Sequence, residues 1–480
     1  MAPERARVRD LFLRLLGGIH LVAFLSLWSQ VSVLMGSRGL IPAAEWLPRE
    51  SFADTPSIFH LGASDAALHA FALVGVLASI ALVLGLAPRL VLVVLWALSL
   101  SFTVAGSVFF EFQWDTLLLE ATYVGWFIAP WGWRPRNAPG PGPVAQALVL
   151  ALVVKLHIES GVSKLWNGDP SWRDLTAMAS YYETAPLPTR LGWWAHQLPV
   201  PVHQATSLVV LVAEILLPAL VIGPHRVRGA LFLAFATLQV GVGLTANYGF
   251  FNWLTVVLCL FVLDDGHLSW KSIHPERDRG PEERGTPVES KGRPRLEVLP
   301  IVGLTIFGLL SIPAFVSSLF PGNALNERVL SVYEPYRTIN AYRLFASMTL
   351  VRREVVIEGS LDGETWEPYE LHYKPGDLLR APPFVAPHQP RVDFLLWFAR
   401  LRGRRAPIYL ERLVERLLED PDAVAPLFAH MPFEGRAPVY VRVATYEYRF
   451  TDLATARETG AWWERTRLPR ETSEVVTRPR

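Results

Sequence analysis

Cysteine is almost missing from this chain: Cys259 is the single one in 480 residues, and it lies inside an apolar run. That excludes an intramolecular disulfide, and burial among apolar neighbours argues against a redox role. Charge is scarce as well. Only 19% of residues are Asp, Glu, Lys or Arg, where a soluble globular domain carries about a quarter. The net charge of +1 leaves no broad basic field for nucleic acid. No metal-ligand spacing, glycine-rich phosphate loop or nucleophile elbow occurs, so neither a metal nor a cofactor is expected. No internal repeat of solenoid period is found.

What the chain has is hydrocarbon: 51% hydrophobic residues and a mean hydropathy of +0.27. A span needs about 20 mostly apolar residues to cross about 30 Å. Such runs predict about nine spans: Leu11–Met35, Ala66–Leu86, Leu90–Phe110, Thr116–Pro130, Val144–Lys164, Thr206–Gly223, Ala230–Thr245, Tyr248–Leu263 and Leu296–Phe320. The fourth and eighth are short enough to be tilted, re-entrant or buried among the others. The first follows Arg5, Arg7 and Arg9 but is longer than a signal-peptide core, which favours an uncleaved anchor.

Basic residues alternate with the spans. Arg89, Arg134, Arg136, His225, Arg226 and Arg228, then Lys271, Arg277, Arg279, Arg284, Lys291, Arg293 and Arg295, all fall in loops on one side. The opposite short loops, Glu111–Asp115 and Asn247–Phe250, have none. By the positive-inside rule the N-terminus is cytoplasmic and the C-terminal part extracytoplasmic, in the plasma membrane if the chain is bacterial.

The expected organisation is a multi-span membrane domain over 1–263, containing a long outer loop at 165–205. A charged inner linker follows at 264–295, then a last span at 296–320 and an outer soluble domain at 321–480. In that last part REVVIEGSLDGETWEPYELHYKP alternates around Asp362-Gly363, a hairpin signal. Amphipathic helices are predicted at Arg391–Leu401 and Ile408–Leu418, and a strand at Val439–Phe450. The fold class is therefore an α-helical polytopic bundle with an α+β or sandwich-like soluble domain. Its many aromatic side chains read either as core and bilayer-interface residues or as a binding surface.

Ionisable groups within spans are costly and mark a cavity, a partner or a function. VVKLHIESGVSKLW holds Lys155, His157, Glu159 and Lys164; Lys155 and Glu159, four apart, share a face and are placed to pair. His157 and Lys164 lie on a nearly opposite face. A lysine in a dry site becomes a base, with His157 or a nearby carboxylate as partner; the plainer alternative is that Lys164 snorkels to the headgroups. Glu111, Asp115, Glu120, Glu214 and Gln239 complete the polar set, and Asp115 with Glu120 is a candidate acid/base couple if the two meet. The outer loop supplies Trp172, Arg173, Asp174, Tyr181 and Tyr182, and NYGFFNW supplies Asn247, Asn252 and Trp253, as candidate client contacts.

The strings WNGDPSWRDLTAMASYYETAPLP, HQLP, NYGFFNWLTVVLCLFVLDD and INAYRLFASMT resemble the lipase maturation factor family. So do IEGSLDGETWEPYELHYKPGDLLRAPPFVAPHQPRVDFLLWFA and the terminal YEYRFT and GAWWER. The resemblance runs from RGLIP to the end of the chain. It implies a membrane-bound maturation factor whose partners are the bilayer and an exported client protein, a lipase in the animal members, which act in the endoplasmic reticulum. The chain's small size, single cysteine and lack of N-x-Ser/Thr sequons suit a bacterial member. SGVSKLW followed by SWRDLTAM is also similar to a segment of vitamin K-dependent gamma-carboxylases. That second resemblance implies a membrane enzyme acting on a quinone-like or lipid substrate with Lys164 as base, although Ser163 stands where those enzymes have a lysine. Likeness of fold does not by itself transfer function.

Overall fold

The computed structural model describes residues 4–268, 297–320, 324–401, 406–469, 473 and 475–477. Most of the charged segment 264–295 falls outside them.

Helices occupy all nine places read as spans. They are α1 (Ala6–Trp28), α2 (Asp65–Val83), α3 (Pro88–Ala105), α4 (Gln113–Ile128), α5 (Pro143–Trp166), α6 (Val200–Ile215), α7 (His225–Thr245), α8 (Phe251–Cys259) and α9 (Val298–Leu319). Local chemistry fixes several starts: the Ser64 hydroxyl accepts from Ala67 N–H ahead of α2, and Pro88 and Pro143 open α3 and α5, where a missing N–H costs nothing.

Six of these, α1, α2, α3, α5, α7 and α9, are long and apolar enough to cross a membrane. A seventh is reached if α6 and the short helix Arg190–His196 before it, bent by 115°, form one span. By length and composition, then, six or seven of the nine expected places hold a helix able to cross on its own. Helix α4 carries buried Asp115 and Glu120 and lies largely enclosed, and α8 is only nine residues before a 3-10 turn, Leu260–Val262. Helices shielded by protein need not match the thickness of hydrocarbon. The lipid-facing character belongs to α2, α7 and α9, which leave Leu73, Leu77, Leu233, Leu309 and Ile312 exposed.

Loops gather at two ends of the bundle. At one end Arg5 donates to Leu263 O, Asp265 accepts from Arg7 and Val8 N–H, and Glu297 accepts from Val144 N–H. At the other the C-terminal domain is seated.

That domain is built on one antiparallel sheet. Strands are β1 (Arg352–Ser360), β2 (Glu367–Pro368), β3 (Glu370–Leu371), β4 (Phe428–His430), β5 (Tyr440–Phe450), β6 (Trp463–Arg467) and β7 (Val476–Thr477). The order is β2-β1-β5-β6, with β7 also on β5, and β3 pairs β4 apart from it. The long pairing runs from Arg352 opposite Tyr448 to Ser360 opposite Tyr440. The hairpin around Asp362-Gly363 forms, but its second arm is only β2; the chain then departs as β3 to meet β4. Helices α10 (Arg391–Phe398) and α11 (Ile408–Glu419) pack against β1 and β5, so the domain takes the α+β form.

Candidate functional site

Two buried polar groupings hold the domains together, and both centre on α5. In the first, Lys155 Nζ lies 2.6 Å from Glu120 of α4, with the rings of Phe307 and Tyr342 4.9 and 5.4 Å away. Tyr342 donates its hydroxyl to the other oxygen of Glu120 at 2.5 Å, and its backbone N–H donates to Glu159 at 2.9 Å. The expected Lys155–Glu159 pair is thus corrected: Lys155 turns to Glu120, and Glu159 takes a main-chain donor from the segment after α9. The expected Asp115–Glu120 couple is corrected as well. Asp115 accepts two hydrogen bonds from Arg391 of α10, both 2.8 Å, so each carboxylate has its own cation.

In the second grouping Lys164 is 1% exposed, which rules out snorkelling. Its ammonium donates to Glu214 at 2.6 Å and to Leu344 O at 2.8 Å, with the Trp172 ring centre 5.1 Å away. The close approach of α6 to α5 that allows this requires Gly161. A Cβ there would come within 2.6 Å of Ile215 and 2.9 Å of Glu214. Trp172 in turn donates to Phe345 O at 2.8 Å. His157 stacks on Phe235, ring centres 4.0 Å apart, and its Nδ1 bonds Val153 O; it shares no contact with the Lys164 pair.

Lys164 and Glu214 line a cavity of about 540 Å³ between the bundle and the C-terminal domain. Glu111, Trp172, Tyr181, Gln239 and Asn252 line it too, and Asn252 donates to Gln239 at 2.8 Å. Lys155, His157, Glu159, Asp115 and Glu120 do not. Among the proposed client contacts, Trp172, Tyr181, Tyr182, Asn247 and Asn252 are buried, whereas Arg173, Asp174 and Trp253 reach the surface. Asn247 is a joint residue: it donates to Leu187 O and Pro383 O and accepts from Val385 and Ala386 N–H.

The sequence reading missed the partners contributed by the C-terminal part. Ser26 of α1 accepts from Gln389 N–H and bonds His388 Nδ1 at 2.9 Å, and Gln389 fits against Gly249, whose φ of +55° favours glycine. Arg352, wholly buried, donates to Glu183 O and Pro186 O, each 2.8 Å. The strings INAYRLF, which holds Tyr342, and VAPHQPRVDF, which holds His388, Gln389 and Arg391, marked these segments as unusual, but nothing in them said which groups of the bundle they meet.

At the far end His225, Asp264 and His267 approach one another with ligand atoms within 4.8 Å. Asp264 is already paired with Arg228, and both ring nitrogens of His267 are engaged, by Asp264 and by His225 O.

Residues 7–270 match the family model of the lipase maturation factor transmembrane domain, and residues 338–473 that of the lipase maturation factor C-terminal domain. The chain is 31% identical to lipase maturation factor 2 of Gallus gallus, over 97% of this chain and 81% of that protein. It is 30% identical to lipase maturation factor 2 of Homo sapiens, over 95% and 81%. It is 31% identical to lipase maturation factor 1 of Bos taurus, over 96% and 87%. No solved structure matches.

Proposed function

The chain belongs to the lipase maturation factor family, and from that premise we propose that it is a membrane-bound factor that brings an exported lipase to its active fold. The observation that carries this reading is the similarity along nearly the whole chain, membrane and C-terminal parts together. The buried joint supports it physically: two parts tied by charged pairs and main-chain bonds act as one rigid platform. In this reading the N-terminus is cytoplasmic and the C-terminal domain extracytoplasmic, where exported chains fold. The domains divide as 1–263, 264–295, 296–320 and 321–480. Of the residues expected to meet a client, Arg173, Asp174 and Trp253 are at the surface, Arg173 also donating to Leu165 O. The action is that of a binding partner, without chemistry on the lipase.

A pulse-labelled secreted lipase, co-expressed with the full chain and captured with it at successive times, tests this. The inactive lipase should be held early and released as activity rises. Capture of none, or of mature active lipase only, would overturn the reading.

One observation favours a second reading. Lys164 faces a cavity beside a carboxylate, as a base in a membrane enzyme related to the gamma-carboxylases would, acting on a quinone-like or lipid substrate. Glu214, rather than His157, is then its partner. To take a proton Lys164 must first give up its own and shed both Glu214 and Leu344 O, which makes this the weaker account.

A further inference from the structure

At the end of the bundle away from the C-terminal domain, the loop after α4 folds back over α1 and the turn between α2 and α3. We infer that the pocket it encloses binds the phosphate of an anionic phospholipid. The inference is independent of the maturation reading and holds whichever side of the membrane this end faces. Three features select the ligand.

The first is the loop's attachment. Ala87 N–H donates to Trp133 O at 2.8 Å. Arg89 donates to Ala129 O at 2.8 Å, and its guanidinium covers the rings of Trp126 and Trp131. On the other side the buried Arg9 donates to Ala138 O and Pro139 O. The loop is pinned at both ends, and a cavity of about 570 Å³ lies beneath it. That is within the usual range for ligand pockets, about 300–1,000 Å³.

The second is charge. Arg14, Arg134 and Arg136 line this pocket against one carboxylate, Asp10. Asp10 precedes Arg14 by four residues, a spacing that suits a pair, but it lies 2.7 Å from Arg9 instead. Among the described residues Arg134 and Arg136 have no side-chain hydrogen bond and no carboxylate partner, and Arg14 has only Val83 O at 3.2 Å. Three guanidinium groups thus share one cavity with no anion of their own. A phosphate accepts paired hydrogen bonds from such groups and offsets their mutual repulsion.

The third is place. Arg14 is the ninth residue of α1, about 12 Å along a helix long and apolar enough to cross a membrane. It faces outward beside the exposed Leu15 rather than into the bundle. An arginine so placed reaches along its stem for the headgroup layer, where lipid phosphate is the available anion. Leu13, Leu82, Leu84 and Leu86 form part of the pocket wall. Trp131 and Trp133 stand exposed on the loop, as aromatic side chains do at a membrane interface. A free phosphate ion gains nothing from that apolar wall, whereas the glycerol and upper chains of a phospholipid do. A zwitterionic lipid would bring an ammonium group beside three arginines and leave them in excess, so the anionic headgroup is the one selected.

The purified full chain in mild detergent is titrated with phosphatidylglycerol or with phosphatidylcholine, and bound lipid is read by native mass spectrometry. Phosphatidylglycerol should fill a saturable site about tenfold more tightly than phosphatidylcholine. Arg14→Gln should weaken its binding about tenfold, and Arg134→Gln/Arg136→Gln should do the same. Arg226→Gln removes one charge from an exposed arginine at the same end but outside the pocket, and should change binding about twofold at most. If Arg14→Gln does not insert, the loop pair decides. Equal binding of the two lipids, variants that bind like the natural chain, or a loss in Arg226→Gln as large as in Arg14→Gln would overturn the inference. So would displacement of the lipid by millimolar inorganic phosphate, since the pocket would then be a site for the free ion.

Discussion

Arg391 of the C-terminal domain holds Asp115 of the membrane bundle through two parallel hydrogen bonds of 2.8 Å, and both side chains are buried. The Phe110 ring lies against the guanidinium, 3.5 Å from its carbon to the ring centre. A bidentate pair of this kind fixes orientation as well as distance, so it sets the angle at which the domain sits on the bundle.

Removing one partner leaves the other charged and buried. Arg391→Met or Asp115→Leu should therefore destabilise the joint by about 3–5 kcal/mol, whereas the double variant should lose much less. Limited proteolysis at the junction and thermal unfolding of the purified chain report this. Additive losses in the double variant would show that the two side chains do not act as a pair.

His388 makes the same joint sensitive to acid. Burial first, and the nearby Arg391 charge second, hold its imidazole below the ordinary value of about 6.5. Its Nδ1 lies 2.9 Å from the Ser26 hydroxyl, which also accepts from Gln389 N–H and keeps its own proton to donate to the neutral ring. The unfolded chain binds the proton more readily than the folded one. Stability from this group is thus fully present above about pH 6.5 and lost as pH falls below it. Domain release, followed by proteolysis between pH 7.5 and 5, should rise with acid in the natural chain and much less in His388→Gln. Equal pH dependence in both would assign the effect to other groups.

Lys164 separates the two functional readings. As a strut, it can be replaced together with its partner: Lys164→Met/Glu214→Leu should keep most maturation activity, while Lys164→Ala alone is destabilised by the stranded carboxylate. As a base it is indispensable, and the double variant would be stable, inserted and inactive. Activity measured against the amount of folded protein in the membrane distinguishes these outcomes.

The helices were legible in the sequence because hydrocarbon length and loop charge are local quantities. Lys155, Glu159 and Lys164 were legible as unusual for the same reason. Their partners were not. Glu120 meets Tyr342 across 222 residues and Asp115 meets Arg391 across 276. A helical spacing of four made Glu159 the natural partner for Lys155 only while no other chain was in view. The fourth and eighth of the expected spans stayed open for a related reason: whether α4 and α8 touch lipid depends on the neighbours that cover them. In the C-terminal domain alternation located β1 and β5, but β1 proved buried on both faces, with Arg352 and Lys374 each 2.5 Å from Glu354 beneath the sheet. Alternation cannot anticipate charges that are paired inside a core.

The most direct measurement is the ratio of lipase activity to lipase mass exported by cells with and without this chain, at equal lipase synthesis. A maturation factor predicts a several-fold fall in that ratio without the chain, restored by the full chain but not by either domain alone. An unchanged ratio, with the lipase equally active in both cells, would contradict the account.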